Sequence, residues 1–389
     1  MIAMRTAAGQ PSQLGFTARS SRGFGLVELM VSMAIGLVII AALVALFAGT
    51  SRNNRAMATA NSVIENGRFA IQLLEDDLLH AGYWGTWVPR FDNPTVEVAP
   101  GDAPTAVPNP CLAYDATAWN AAYYSNLIGI PVQVYQADDA GLPCGAVIAD
   151  AVPDSDVLVV RHAEMCVPGA SGCEANVNGK IYIQSSLCAS ETPQMVIGPT
   201  AAFTLTARNC TAPAQKRKFI SHIYYVRDYA RAAGDGIPTL VRSEFDLVGG
   251  TLAHQPPVPL IEGVDALRVE IGIDDTSRTG NAVDNAAAIN WLDEETKDAA
   301  TNRGDGIPAG AFVRCTAATP CTAADLANAT AVRLYVLARS REPTTGYTDT
   351  KEYQLGAAGP LGPYGDGFKR HVYSTTVRLI NVSGRRERP

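Results

Sequence analysis

The sequence predicts an α+β fold in which one long N-terminal helix is followed by an antiparallel, β-rich domain. An apolar run from Phe24 to Gly49 continues into a stripe of apolar residues, and no proline occurs between Pro11 and Pro89. From about residue 90 the chain becomes rich in proline, glycine and short β-type runs. A helical pattern followed by runs of strands is typical of α+β proteins.

Residues 1–23 are predicted to be a leader that is removed from the mature chain. This segment is polar and contains Arg5, Arg19 and Arg22 but no acidic residue. A secretory signal carries its cleavage site after the apolar core, whereas Gly23 precedes it here. We therefore expect cleavage between Gly23 and Phe24, which leaves the apolar segment in the mature protein.

Residues 24–49 are predicted to form the transmembrane part of the helix. At 1.5 Å per residue this segment would be about 39 Å long, which is enough to cross a bilayer. The arginines before it favour a cytoplasmic N-terminus, although Arg52 and Arg55 follow it and weaken that argument. The segment contains one acid, Glu28, whose insertion costs roughly 2.5–3.5 kcal/mol, so we expect it to have a partner. The simpler alternative is a glutamate that reaches the membrane interface.

Residues 50–84 are predicted to continue the same helix as an amphipathic segment that ends near His80, where Gly82 supplies a cap. The charged residues here lie off its apolar stripe, so we interpret the stripe as a surface that packs against the chain's own domain. The stripe consists of Met57, Ala60, Ile64, Gly67, Ile71, Leu74 and Leu78, and the charged residues are Glu65, Arg68, Glu75, Asp76 and Asp77.

Residues 85–389 are predicted to form the β-rich domain. The clearest strand signals are the alternating patterns at 267–273 and 332–339, and a last strand is expected near 371–382. Further strands are predicted at 156–162, 180–185, 202–206 and 222–227. Long loops are expected at 90–125, 140–155 and 275–330.

All eight cysteines lie beyond the apolar run, which predicts disulfides in an oxidising compartment. Eight cysteines allow 105 pairings, and the sequence does not choose among them. The pairs that are close in sequence, 166 with 173 and 315 with 321, are the simplest expectation. The disulfide candidates are Cys111, Cys144, Cys166, Cys173, Cys188, Cys210, Cys315 and Cys321.

The sequence shows no catalytic, cofactor or metal motif, so it predicts neither an enzyme nor a bound cofactor or metal. The histidines, His80, His162, His222, His254 and His371, lie far apart in sequence, and we expect each to be a surface or structural residue. Gly-Asp-Gly segments are interpreted as turns, and Asp274, Asp275 and Asp284 are only a fragment of a calcium loop. The net charge of −7 gives no support for nucleic-acid binding.

Gly23-Phe24-x-x-x-Glu28 followed by the apolar run resembles the N-terminus of type IV pilins and pseudopilins. Three later segments resemble the PilW family of minor pilins: 66–85, 260–270 and 373–381. The resemblance implies a pilin-like fold, cleavage by prepilin peptidase and N-methylation of Phe24. The new α-amine could then pair with Glu28 of a neighbouring subunit. Gly25 departs from the usual Thr or Ser, and the helix lacks the proline kink of many major pilins.

The hypothesis from the sequence is a minor type IV pilus subunit that primes or caps assembly. Its implied partners are other minor pilins, the major pilin, prepilin peptidase and the inner-membrane assembly platform. It would span the inner membrane once, with the C-terminal domain periplasmic, and reach the cell surface in the pilus, at its tip. Two alternatives remain open: a large minor pseudopilin of a type II secretion system, and a membrane-tethered enzyme or sensor.

Overall fold

The computed structural model describes residue 23 and residues 25–139, 141–142, 144–145, 147–199 and 203–387. The leader up to residue 22 and Phe24 therefore lie outside the described residues. The chain divides into two compact units, residues 1–57 and 58–389. One helix, α1 (Leu26–His80), begins in the first unit and ends in the second, as the proline-free apolar pattern predicted.

In the first unit, the side chains of α1 are exposed along the apolar run. The most apolar 18-residue window has a mean hydropathy of 2.8, and none of it is buried in the protein. Among the described residues this is the one helix long and apolar enough to cross a membrane.

In the second unit, α1 packs through a face that is rotated slightly from the predicted stripe. The buried residues are Val63, Gly67, Ala70, Leu74 and Leu78. Met57, Ala60 and Ile64 of the predicted stripe are exposed instead. Gly67, which belongs to both sets, lies against the ring of Tyr373, so the helix approaches the sheet closely there.

The larger sheet has eight antiparallel strands and contains the order β1-β2-β5-β3-β4, with β6 paired to β5, β7 and β8. Its long central strand β5 has β2, β3 and β6 as neighbours. The strands are β1 (Val132–Gln136), β2 (Asp156–Ala163), β3 (Ile181–Ser185), β4 (Met195–Pro199), β5 (Lys216–Arg227), β6 (Thr239–Val248), β7 (Thr251–His254) and β8 (Val258–Glu262).

The second sheet has three antiparallel strands in the order β11-β10-β9. They are β9 (Val264–Ile273), β10 (Ala329–Arg339) and β11 (Arg370–Arg378). The largest hydrophobic core joins both sheets to α1 and includes Leu74, Leu158, Leu267 and Val336. The antiparallel sheets and the long helix confirm the predicted α+β class, a long N-terminal helix followed by an antiparallel β-rich domain.

The described part of the domain also contains three short helices, α2 (Ala121–Gly129), α3 (Ala323–Ala327) and α4 (Ile380–Arg386), and one 3₁₀ turn at Arg90–Asp92. The predicted strand at 371–382 is wrong at its end, because α4 begins there. Arg386 fixes that helix by bonding Asp92 at 2.7 Å and Asp274 at 3.2 Å, contacts that no local pattern encodes.

The predicted strand at 202–206 is also wrong over its described residues, 203–206, which hold only an isolated bridge from Thr206 to Pro213. This part of the chain is held by side chains instead: Glu191 accepts hydrogen bonds from Thr206, and Gln184 bonds Leu205.

Candidate functional sites in the N-terminal segment and beneath the helix

The first candidate site is the start of α1. The Gly25 carbonyl accepts the first helical hydrogen bond from Leu29 N–H at 3.1 Å, and Gly25 N–H donates to Glu28 Oε2 at 3.1 Å. This is the glutamate half of a capping box, because glycine has no side chain to supply the other half. Gly23 and Glu28 are exposed, and Phe24 lies outside the described residues.

The eight cysteines form four disulfides, which include both of the sequence-local pairs. Cys111–Cys144 closes the longest loop, with a sequence separation of 33, and Cys315–Cys321 closes the shortest, with a separation of 6. Cys188–Cys210 encloses β4, and Cys166–Cys173 lies in the loop after β2. The bonds lie in or beside long irregular segments.

The second candidate site is a cluster of Asp77, His162 and His222 between α1 and the larger sheet. Val160 of β2 pairs with His222 of β5, and His162 pairs with Ile220. His162 and His222 are therefore diagonal neighbours on one face of the antiparallel pair. Asp77 of α1 lies against that face, although its charge places it off the predicted apolar stripe.

The Asp77 carboxylate contacts both imidazoles. Its Oδ1 is 2.9 Å from His162 Nε2, and its Oδ2 is 2.9 Å from His222 Nδ1. All three side chains are about nine-tenths buried. Burial raises the pKa of Asp77, but the hydrogen bonds and charges of the two histidines outweigh it and hold that pKa well below its ordinary value.

A pocket with a mixed polar and apolar lining borders the Asp77 side of this cluster. This pocket of about 390 Å³ is lined by Asp76, Asp77, His80, Tyr224 and Arg242, among others. The His80 ring centre is 5.6 Å from that of His162. Solvent can therefore reach the carboxylate from the helix side.

The remaining histidines do not join this cluster. His254 is buried between Ser221, 3.3 Å from its Nε2, and Ser243, 3.2 Å from its Nδ1. Burial and the positive charge of Arg161 lower the pKa of His254 to about 3, so it is neutral at physiological pH. His254, Ser221 and Ser243 are all buried, so we interpret them as a structural group of hydrogen-bonded side chains. His371 is exposed on β11.

The acidic residues of the calcium-loop fragment are used differently. Asp274 accepts hydrogen bonds from the N–H groups of Asp305 and Gly306 and pairs with Arg386. Asp284 accepts from the N–H groups of Ala286 and Ala287. These carboxylates are already paired with N–H donors or a guanidinium, and such surroundings disfavour the binding of a cation. In the part of the chain that the structure describes, the metal-like group is Asp77, His162 and His222.

This cluster could not be recognised from the sequence because its members come from segments that are far apart in the chain. Asp77 is 85 residues from His162 and 145 from His222. The available signal was weak: two histidines at strand positions, and an acidic residue on a helix that must cover the sheet.

Comparison with known proteins finds matches to two segments of the chain, one N-terminal and one C-terminal. Residues 18–44 match the prokaryotic N-terminal methylation motif, and residues 223–381 match the family described as type IV pilus-assembly protein W, or PilW. No curated protein matches the chain. A type IV-like pilin from Thermus thermophilus, TTHA1219, is 16% identical, covering 60% of this chain and 81% of that chain with a TM-score of 0.24. That low score is no basis for transferring detail.

The methylation motif at the start of the long apolar helix makes this chain similar to type IV pilin-like proteins. Within that class, the match over residues 223–381 confirms the similarity to the PilW family.

Proposed function

We propose that this protein is a minor type IV pilus subunit that primes or caps pilus assembly and has no catalytic role. Prepilin peptidase would cut between Gly23 and Phe24, and Phe24 would then be N-methylated. The observation that carries the proposal is the methylation motif at 18–44, followed by an apolar helix whose most apolar window is not buried by any of the described residues.

The exposed apolar helix needs an apolar environment. Leu26, Phe47 and the large side chains between them are more than half exposed. A helix satisfies its own backbone hydrogen bonds, so lipid can surround it before assembly. In a pilus, the same surface would pack against the helices of neighbouring subunits. This supports an inner-membrane precursor with a periplasmic domain that later enters a filament at the cell surface.

The β-rich domain supports a low-copy position. Residues 85–389 form two sheets with long connections that four disulfides cross-link. A domain of this size would crowd a shaft in which each subunit repeats, whereas a filament tip has room for it. The other minor pilins, the major pilin and the inner-membrane assembly platform would be its partners.

Deletion of the gene, followed by immunogold labelling of the complemented strain, tests this role. Deletion should reduce or abolish surface pili while the major pilin stays in the membrane, because initiation fails before the shaft grows. Sparse labelling at filament ends is expected. Regular labelling along the shaft would refute the tip position, and normal piliation combined with loss of protein secretion would indicate a pseudopilin.

A further inference from the structure

The hydrogen-bond partners of His162 are both acceptors. Its Nδ1 is 3.0 Å from the Ala163 carbonyl oxygen, and its Nε2 is 2.9 Å from Asp77 Oδ1. In the tautomer that carries its proton on Nδ1, the ring donates to the carbonyl and its Nε2 lone pair can serve as a metal ligand. An imidazole nitrogen of His162 and a carboxylate oxygen of Asp77, both of which are metal-ligand atoms, therefore face each other at short distance.

We propose that Asp77, His162 and His222 bind a divalent transition-metal ion of the zinc class. The ligands would be the Asp77 carboxylate, His162 Nε2 and His222 Nδ1. Two imidazoles and one carboxylate form a typical donor set for zinc with one open coordination position. Magnesium and calcium prefer oxygen ligands and would be poorly held here. This site goes beyond the proposed pilus function and replaces the sequence-based expectation of no metal.

The spacing of the donor atoms fits such an ion after a small adjustment. The ligand atoms all lie within 4.8 Å of one another. Two atoms bound tetrahedrally at about 2.0–2.1 Å are about 3.4 Å apart. The two 2.9 Å contacts of Asp77 would need to open by about half an ångström, which side-chain rotation can supply.

The groups around the cluster support the ligand roles. A metal-bound histidine usually donates its other N–H to a carbonyl or carboxylate, as His162 Nδ1 does to Ala163. Asp76 adds negative charge at the pocket, and Arg242 opposes it with a positive one. The pocket of about 390 Å³ is lined by Asp77, so an ion and a water molecule would reach the cluster from the side of that carboxylate.

A bound ion would fasten the last turn of α1 to β2 and β5. Asp77 lies on the helix, whereas His162 and His222 lie on neighbouring strands. Because the ligands come from three elements, the ion would bind the folded domain far better than the unfolded chain. Metal would therefore raise the unfolding temperature of the domain.

Metal titration of the full-length protein in detergent tests the proposal. The protein should carry a tag without histidines and be treated with chelator before Zn²⁺ is added. We expect about one equivalent to bind, with affinity weakened about tenfold or more in Asp77→Asn, His162→Gln and His222→Gln. His371→Gln is the matched control and should bind as wild type does. The absence of stoichiometric binding would overturn the proposal, as would unchanged affinity in all three variants.

Wild-type protein loaded with Co²⁺ provides a second measurement if the variants fail to fold. Tetrahedral Co²⁺ bound by nitrogen and oxygen gives visible absorption bands, and Zn²⁺ should displace it. All eight cysteines are in disulfides, so no thiolate-to-cobalt band is expected. A thiolate band, or no cobalt binding, would contradict the site. Zn²⁺ should raise the unfolding temperature where Ca²⁺ and Mg²⁺ do not, and an equal effect of all three ions would also contradict it.

Discussion

Gly67 of α1 lies directly against the aromatic ring of Tyr373 on β11. A Cβ atom at Gly67 would lie 2.1 Å from Tyr373 Cε2, which is far inside van der Waals contact. In an exposed helix, alanine would stabilise relative to glycine by about 1 kcal/mol. Here the close approach of helix and sheet reverses that preference, since the methyl group has no space.

Gly67→Ala should therefore lower the free energy of unfolding, by about 1–3 kcal/mol, through overpacking. Urea unfolding of the purified protein measures this change. Asn61→Ala, at an exposed position on the same helix, is the control and should be neutral or slightly stabilising. Tyr373→Ala removes the ring, so Gly67→Ala should cost at least about 0.5 kcal/mol less in that background. Equal costs in both backgrounds would show that the ring does not limit this position.

The disulfides should stabilise the domain in the order of the loops they close. Cys111–Cys144 has a sequence separation of 33, and the chain-entropy model gives about 4 kcal/mol for a loop of this length. Cys315–Cys321 has a separation of 6, for which the same model gives about 2 kcal/mol. Replacing each pair by serines and comparing urea midpoints tests the order. Equal losses, or a larger loss for the short loop, would mean that loop entropy does not govern these bonds.

His254 should make stability depend on pH. Its pKa is about 3 in the folded protein, compared with 6.5 for an unperturbed histidine. Below pH 6.5 the unfolded chain binds a proton that the folded protein does not, so stability falls as pH falls towards 3. The slope is about 1.4 kcal/mol per pH unit, or about 2 kcal/mol between pH 6.5 and 5.

His254→Gln should flatten this part of the stability profile, because glutamine does not titrate. Unfolding should be measured with chelator present, so that the Asp77 cluster contributes equally to both proteins. His371→Gln removes an exposed histidine and should keep the wild-type slope. A slope in His254→Gln as steep as that of the wild type would show that His254 is not the group that titrates.

The N-terminal helix and the clearest strands could be predicted from the sequence because their patterns are local. The absence of proline and the spacing of apolar residues predicted α1, and the alternation at Leu267, Val269 and Ile271 predicted β9. The alternation did not show, however, that the polar residues between them are also covered. Arg268 and Glu270 are buried because the 353–361 segment covers that face, with Gly359 and Ala357 as their partners.

The parts that could not be predicted depend on contacts between distant segments. The helix α4 forms where a strand was expected, and its arginines are bonded to Asp92 and Asp274. The Asp77 cluster likewise needs the register of β2 with β5, which a single sequence does not reveal. Its charge placed Asp77 off the apolar stripe, but contacts with two buried histidines make its position between α1 and the sheet favourable.

Processing should occur between Gly23 and Phe24. The basic leader ends in Gly23 immediately before the apolar run, and no acidic residue occurs before Glu28. Mass spectrometry of protein from sheared pili or membranes should show a mature chain that begins with methylated Phe24. A chain beginning at Met1, or one cut after Gly49, would contradict the pilin-type processing.

Glu28 should be needed for assembly through its charge. Its carboxylate caps the helix by accepting the Gly25 N–H, and in the filament it would pair with the methylated amine of a neighbouring Phe24. Glu28→Gln keeps an oxygen that can accept from Gly25 but removes the charge, whereas Glu28→Ala removes both. Because an ion pair in an apolar environment depends on charge, both variants should lose most surface pili, as counted by electron microscopy. Cleavage should continue in both, since Gly23 and Phe24 are unchanged.

Glu65→Gln, an exposed acid on the same helix, is the control and should assemble normally. Normal piliation in Glu28→Gln with a defect only in Glu28→Ala would assign Glu28 to helix capping, and normal piliation in both would remove it from assembly altogether.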